Sequence, residues 1–240
     1  MIHQPEFLPW TGLFLKMAAC DVFVFLDNVQ YLRRSYQNRN RIKNRDGQQW
    51  LTVPLKRAPR EQRIMDMNID VSKDWQQSHV SALKGSYKSA AYYKEVWPLL
   101  EPAYEKQWSS LVDLDCFLTE SITHGLGLNP RFVRASELNI KGVKAERILN
   151  ICLELKANRY ISGMGGKTYL DEKDFQKHDV EIVYIPPFEM QYQQLCPEKE
   201  FMAGLSIIDY LFNRGIGEVR QTLIQLAQQH LSHGKLSVHA

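Results

Sequence analysis

The sequence lacks several features that mark whole classes of protein. No window approaches the ~18 uninterrupted apolar residues that a membrane-spanning helix needs. The N-terminus has no basic start followed by an apolar run, so we expect no secretory signal and a cytoplasmic location. The four cysteines form no C-x-x-C pair, which predicts reduced thiols. No H-x-x-x-H pair or Cys/His cluster indicates a metal site.

Acidic residues are scarce in one stretch of the chain. Between Arg33 and Arg63 there are ten Lys or Arg residues but only two acids, Asp46 and Glu61, a local net charge of +8. Because the whole chain carries +3, the remainder carries −5. One part of the protein is therefore expected to face an anionic ligand.

The hydrophobic pattern at the start of the chain predicts a βαβ unit. Residues 1–12 hold two prolines and a glycine, which suit a strand end followed by a rigid loop. Residues 12–19 suit a short helix, and residues 21–27 a fully buried strand. This order predicts an α/β fold with a Rossmann-like parallel sheet flanked by helices.

The whole chain, residues 1–240, is predicted to form a single domain that includes this unit. The basic stretch predicts a β-hairpin with a turn at residues 44–47 and a second strand at 49–55. Residues 74–126 form a mostly helical insertion, broken at Gly85 and Pro98. A second α/β rhythm has strands at 131–134, 159–162 and 180–185 and a helix at 145–157. Two C-terminal helices, 206–213 and 218–231, lie within residues 205–240 and precede a frayed tail.

The loop after the first strand is one candidate site. Backbone N–H groups around Trp10 and Gly12 could face an anion at the helix N-terminus. His3, with Gln4 beside it, could act as acid, base or phosphate contact. The alternative is a structural His3 and a core Trp10, which the spacing alone favours.

A glycine-rich turn after a later strand is a second candidate. Gly163, Gly165 and Gly166 allow close backbone approach to a ligand, and Ser162 and Lys167 flank them. The turn has neither the Walker spacing nor a dinucleotide fingerprint. A tight strand-to-helix turn explains the same residues equally well.

The basic hairpin is a third candidate, with the binding residues Tyr36, Asn38, Arg39, Arg41 and Lys43. Interleaved basic and aromatic residues can bind nucleic acid, or the diphosphate of a sugar nucleotide through arginine forks. A solvated, charge-protected edge strand is the other interpretation.

Two acids and one amide complete the candidates. Asp27, at the carboxyl end of a strand, could bind a hydroxyl or a metal, or cap a turn. Gln30 or Asp27 would position a ribose or sugar hydroxyl. Asp209 lies in an apolar helix, and we expect an arginine to pair with it in a structural role.

Long ordered motifs closely resemble the WbqC-like family over essentially the whole chain. They are His3-Gln4-Pro5-x-x-Leu8-Pro9-Trp10-x-Gly12, the segments 21–30, 37–43 and 50–54, Ser162-Gly163-x-Gly165-Gly166-Lys167, and Leu205–Asp209. Members usually have a few more residues before His-Gln-Pro, so the first strand is expected to be truncated. The resemblance implies a glycine transferase of bacterial O-antigen clusters, acting on a nucleotide- or lipid-linked amino sugar.

A weaker resemblance is to the HIGH-motif nucleotidyltransferase-like fold. Pro9–Leu13 matches its first motif in position, although Trp10 and Leu13 stand where its two histidines would be. This resemblance implies ATP with Mg as the cofactor and an acyl adenylate as the intermediate.

These observations give an acyl-transferase hypothesis in which His3, Gln4 and Asp27 are catalytic. The basic arm and the glycine turn bind phosphates, while Trp10, Tyr36 and Trp50 line the pocket. We expect a small-molecule or nucleotide-sugar substrate rather than nucleic acid, and the oligomeric state stays open. The alternative is a non-catalytic module that binds a nucleotide sugar or a nucleic-acid phosphate backbone.

Overall fold

A computed structural model describes residues 1–188, 190–196 and 199–233 of the chain. The strands in these ranges are β1 (Ile2–His3), β2 (Val22–Phe25), β3 (Arg39–Asn44), β4 (Gly47–Thr52), β5 (Arg131–Arg134), β6 (Arg159–Gly163) and β7 (Glu181–Ile185). The α-helices are α1 (Thr11–Met17), α2 (Trp75–Tyr87), α3 (Tyr93–Glu105), α4 (Leu111–Gly125), α5 (Lys144–Glu154), α6 (Glu172–Gln176) and α7 (Ile207–His233).

The first unit has the predicted βαβ form. β1 pairs with β2 in parallel, with Ile2 opposite Val24, and α1 connects the two strands. β2 also pairs with β5 in parallel, so the strand order is β1-β2-β5. β6 and β7 form a second parallel pair. The α/β class is confirmed, and the carboxyl ends of β1, β2 and β5 lie along one edge.

Aromatic packing explains the buried character of β2. Phe25 is buried, and its ring stacks on Phe132 of β5 with centroids 5.6 Å apart. Phe23 meets both rings edge-on, at 4.8 and 5.8 Å. This side of the sheet belongs to the larger hydrophobic cluster, whereas Ile2 and Val24 belong to a smaller one against α5. Buried apolar area of this kind is the main stabilising term of such a sheet.

The basic stretch forms the predicted hairpin. β3 and β4 pair in antiparallel fashion from Arg39 opposite Thr52 to Asn44 opposite Gly47. Gly47 has a φ of 126°, a left-handed conformation that favours glycine. The second strand ends at Thr52 rather than at the predicted residue 55.

The insertion is helical as predicted, but its breaks are elsewhere. Gly85 lies inside α2 and Pro98 inside α3, so the predicted breaks at these residues are wrong. Burial of Val96 and Leu100 holds α3 together despite its prolines, because tertiary packing overrides weak helix propensity. Ser110 caps α4 by accepting the N–H of Asp113 at 3.3 Å.

The C-terminal helical region also agrees with the prediction. α7 contains a kink at Gly215, whose φ of 79° and ψ of 163° separate two helical segments. The predicted tail at 234–240 lies outside the described residues. Within the described ranges, no helix is both long and apolar enough to cross a membrane.

Candidate functional site

A cleft of about 800 Å³ opens where β1 and β2 end. Gln4 follows β1, and residues 26 and 28–30 follow β2. The start of α5 and Tyr169 complete the lining. Open α/β sheets place their ligands at this edge, and the volume is ordinary for a small-molecule site.

Two cations and a helix N-terminus face this cleft. Lys144 and Arg147 line it from the first turn of α5, whose leading N–H groups have no partners within the helix. Arg147 donates to the Gly142 carbonyl at 2.9 Å and to Asn28 Oδ1 at 3.4 Å, which fixes the guanidinium beside the end of β2. The arrangement favours an anionic ligand.

His3 is the last residue of β1 and precedes Gln4, which lines the cleft. Its Nδ1 lies 2.9 Å from the Gln4 carbonyl oxygen, and a carbonyl only accepts, so Nδ1 carries the hydrogen and Nε2 the lone pair. Burial, and secondly the charge of Lys16, lower the pKa of His3 to about 3. His3 is therefore a neutral imidazole at neutral pH.

Gln4 and Gln30 are the two predicted site residues that line the cleft. Gln4 Oε1 accepts from Gln37 Nε2 at 2.7 Å, and Gln37 Oε1 accepts from the Leu32 N–H at 2.8 Å. This chain of bonds connects the cleft to the base of the hairpin. Gln30 is exposed and donates to the Arg60 carbonyl at 2.8 Å.

Asp27 is buried and fully engaged. Its two oxygens accept from the N–H and the hydroxyl of Ser136 at 2.9 and 2.6 Å. These bonds connect the end of β2 to the segment after β5, so the carboxylate shapes the edge of the sheet. The described residues contain no group of three or more His, Cys, Asp or Glu side chains that could hold a metal ion.

The glycine turn follows β6 as a short 3₁₀ helix, Met164–Thr168. A Cβ on Gly166 would collide with the hydroxyl of Ser162, so the chain needs glycine there. A Cβ on Gly163 would lie 3.6 Å from Lys16 Nζ, whereas one on Gly165 would meet nothing within 4 Å. Lys167 places its Nζ 5.0 Å from the Tyr184 ring centroid.

The outer face of the hairpin presents an aromatic and cationic cluster. The Arg39 guanidinium carbon lies 4.3 Å from the Trp50 ring centroid, and that of Arg41 lies 5.7 Å away. The Tyr36 and Trp50 rings are 6.0 Å apart, and both are about 40% exposed. This cluster, Tyr36, Arg39, Arg41 and Trp50, is called the stacking cluster below.

The predicted residues Asn38 and Lys43, and Asn40 between them, are buried in the fold. Asn38 donates to the Val53 carbonyl at 2.8 Å, and Asn40 donates to the Leu8 carbonyl at 2.7 Å. Lys43 is 4% exposed and donates to Gln194 Oε1 at 3.1 Å. These three contacts position the loop and the hairpin.

Trp10 and Gly12 lie away from the cleft. The Trp10 ring covers Gly12 so closely that a Cβ there would overlap it. Trp10 lines a separate cavity of about 320 Å³ with Tyr192, Phe201 and Gly204. Neither Trp10 nor Gly12 lines the cleft with Gln4.

The comparisons with known proteins agree with the resemblance in the motifs. A model of the WbqC-like protein family matches residues 4–221. The chain belongs to this WbqC-like family. It is 35% identical over 217 residues to Uncharacterized protein Rv1507c of Mycobacterium tuberculosis (strain ATCC 25618 / H37Rv), an alignment covering 89% of this chain and 93% of that protein. No solved structure matches the chain.

In this member of the WbqC-like family, sequence reasoning missed three ionisable residues that are wholly or partly buried. Lys16 on α1 is 8% exposed and Asp115 on α4 is fully buried. Glu6, in the loop before α1, has its Oε2 buried without a hydrogen-bond partner. Charged residues are rarely buried unless they are paired. The sequence did contain one sign of this: Lys16 interrupts the apolar run 12–19, which predicts a buried helix.

Proposed function

We propose that this WbqC-like protein is an acyltransferase of bacterial surface-polysaccharide synthesis. It would transfer a glycyl group, the donor that the family resemblance implies, to the amine of a nucleotide- or lipid-linked amino sugar. The observation that carries the proposal is the cleft at the carboxyl edge of the sheet, with Lys144 and Arg147 at the start of α5.

The chemistry of the cleft suits a phosphorylated substrate. Arg147 and Lys144 supply positive charge, and the α5 N-terminus adds N–H donors for phosphate oxygens. Gln4 and Gln30 present amides for sugar hydroxyls. Exposed Val143 and Tyr169 provide apolar and aromatic surface at the rim.

The proposal includes activation of the carboxylate by ATP. The carboxylate displaces pyrophosphate to give an acyl adenylate, and the sugar amine then displaces AMP to form the amide. The attacking amine must lose a proton, which passes to water, because the lowered pKa makes His3 a weak base. The role we propose for the lone pair on His3 Nε2 is to accept a hydrogen bond from that amine and orient it. The ATP step rests on the likeness to the HIGH-motif fold alone.

A binding experiment tests the ligand class. Thermal unfolding would be recorded with a uridine diphosphate amino sugar, with ATP and magnesium, and with glycine. We expect at least one of these to raise the melting temperature of the wild type. In the Arg147→Ala variant, affinity should fall about tenfold or more, because a charge-assisted contact is lost.

Arg131→Ala is the matched control for this experiment. Arg131 is exposed at the amino end of β5, the edge opposite the cleft. Its replacement should leave affinity unchanged. Equal losses in both variants, or no stabilisation of the wild type by any of the three ligands, would remove the cleft as the substrate site.

The stacking cluster supports a second candidate function, a non-catalytic module for nucleotide sugars or nucleic-acid backbones. Exposed Trp50 between two guanidinium groups resembles the platforms on which bases stack. Binding of a single-stranded oligonucleotide would be measured by Trp fluorescence over a range of salt. Tight binding that falls steeply with salt and drops about tenfold in Trp50→His would favour this function.

A further inference from the structure

Lys16 is in an unusual environment for a lysine. It lies in α1 between buried Leu15 and Met17 and is itself 8% exposed. Within the described ranges it makes no hydrogen bond or ion pair that would balance its ammonium group. A lysine side chain that is mostly buried and has no carboxylate partner lowers stability, so a functional explanation is worth seeking.

The residue next to this ammonium group is a glycine, Gly163. Lys16 Nζ lies 3.6 Å from the position that a Cβ on Gly163 would occupy. Gly163 ends β6 with an extended backbone, φ −83° and ψ 166°, so the conformation itself does not require glycine. A side chain at position 163 would therefore lie in contact with Nζ, whereas glycine leaves that position unfilled.

Carboxyl groups without partners lie close to Lys16. Glu6 interacts electrostatically with Lys16 but forms no ion pair with it, and Glu6 Oε2 is buried and unbonded. Both oxygens of Asp115, which interacts with Glu6, are also buried without partners. His3 is the other titratable group that faces Lys16.

The protonation states of these groups leave Lys16 unbalanced. Burial raises the pKa of Glu6 to about 7 and the pKa of Asp115 well above its ordinary value. His3 is neutral, because its pKa is lowered to about 3. Burial also lowers the pKa of Lys16, an effect that nearby Glu6 opposes. Near neutral pH, a proton on Glu6 leaves a net positive charge around Nζ.

We propose that Lys16, Glu6 and Gly163 form a buried oxyanion subsite for a carboxylate or phosphate group. Lys16 binds the anion in the space beside Gly163, and Glu6 takes up a proton from solvent when the anion binds. The subsite would hold the charged end of a ligand at the β1 and β6 ends, and in that respect it rests on the proposed function. Its own test uses simple anions only.

Two glycine variants test the geometry. Thermal unfolding of the full chain would be followed in acetate and in sulfate, with chloride at equal ionic strength as reference. We expect one of the two oxyanions to stabilise the wild type beyond chloride. Acetate indicates a carboxylate ligand and sulfate a phosphate-like one. Gly163→Ala should fold normally and lose this difference, whereas Gly165→Ala should keep it, because its Cβ meets nothing within 4 Å.

A pair of lysine variants tests the charge. Lys16→Met should lower oxyanion affinity at least about tenfold without lowering the melting temperature in chloride, since it removes a buried charge. Lys94→Met, at an exposed position on α3, should behave as wild type. Retained oxyanion stabilisation in Lys16→Met or Gly163→Ala would overturn the subsite, as would a wild type that responds equally to all three anions.

The proton step has its own measurement. Between about pH 6 and about pH 8.5 acetate and sulfate keep their charge, whereas Glu6 loses its proton. Wild-type affinity should therefore fall about tenfold over this range, and Glu6→Gln should lose that fall. An equally steep fall in Glu6→Gln would overturn the role of Glu6. Because no sugar nucleotide, ATP or glycine is used, failure here is distinct from failure of the proposed function.

Discussion

Two buried carboxylate regions of this protein differ in how their oxygens are satisfied. Asp209, on α7, accepts from Tyr87 at 2.7 Å, from Tyr192 at 2.6 Å and from Gln194 at 3.1 Å. Buried Lys43 adds a positive charge nearby. By contrast, Asp115 has no partner for either oxygen, and neither has Oε2 of Glu6.

This difference separates a structural charge from a functional one. A buried acceptor with all its hydrogen bonds fixes the elements around it, here β3, α2 and α7. A buried polar atom without a hydrogen-bond partner lowers the free energy of unfolding, because no bond within the protein replaces the bonds it made to water. Strained or unsatisfied groups of this kind concentrate at binding and catalytic sites. The hydrogen bonds of Asp209 therefore support a structural role. The unbonded oxygen of Glu6 supports the subsite that we propose at Lys16 and Glu6.

The largest expected effect is on the structural side of the comparison. Asp209→Ala removes the acceptor of two tyrosine hydroxyls and one amide and leaves Lys43 without its nearby charge. We expect the free energy of unfolding to fall by about 4 kcal/mol, the cost of breaking a buried polar network. Guanidinium denaturation measures it.

Asp46→Ala is the control for this measurement. Asp46 is exposed in the hairpin turn, and its replacement should change stability by no more than ~0.5 kcal/mol. A loss below ~1 kcal/mol in Asp209→Ala would mean that the hydrogen bonds of Asp209 do not hold these elements, and the comparison would fail.

Local sequence patterns were sufficient for most of the fold. The alternating and continuous apolar runs predicted β1, β2, the hairpin and the strands of the second α/β region, because these patterns depend on residues close in sequence. The breaks at Gly85 and Pro98 were wrong because tertiary burial overrode propensity. The arginine expected beside Asp209 was also wrong, since two tyrosines and Gln194 bind it.

The candidate site was less accessible to sequence reasoning. Gln4 and Gln30 were proposed as site residues for separate reasons, and both line the cleft at the carboxyl edge of the sheet. The buried roles of Asn38 and Lys43 depend on partners up to 151 residues away. Lys16 meets Gly163 only in the folded chain. No local pattern encodes such distant contacts.

The next largest effect is expected at Glu6, whose Oε2 is buried without a hydrogen-bond partner. Because burial raises the pKa of Glu6 to about 7, above its unfolded value, the native state binds more protons than the unfolded state between about pH 4.5 and about pH 7. Wild-type stability should therefore fall over this window relative to Glu6→Gln, by about 2 kcal/mol, since Glu6 retains some exposure. Urea denaturation at several pH values measures the difference.

The difference in stability between wild type and Glu6→Gln should change only within this pH window and stay constant above it. Glu101→Gln, in which the replaced glutamate lies on α3, serves as the matched control and should follow the wild type within ~0.5 kcal/mol. Parallel stability curves for wild type and Glu6→Gln would show that Glu6 is ordinary, and would remove its contrast with Asp209.

A pair of tyrosines sharpens the comparison further. Tyr192→Phe removes a hydroxyl that donates to Asp209 at 2.6 Å, so we expect a loss of about 1.5 kcal/mol. Tyr104→Phe removes a buried hydroxyl that has no partner, and stability should stay equal or rise slightly. Equal losses in the two variants, measured by denaturant unfolding, would contradict the distinction between satisfied and unsatisfied groups.

The smallest expected effect is at Asp115. Burial raises the pKa of its carboxyl well above the ordinary value, and nearby Glu6 adds to this, so burial favours the neutral form. Asp115→Asn replaces one neutral group by another of nearly the same shape, and the free energy of unfolding should change by ~0.5 kcal/mol or less. A loss above ~2 kcal/mol on denaturation would mean that Asp115 is ionised and paired in the folded state. Asp115 would then resemble Asp209, and only Glu6, beside Lys16, would remain as a carboxyl group with a buried, unbonded oxygen.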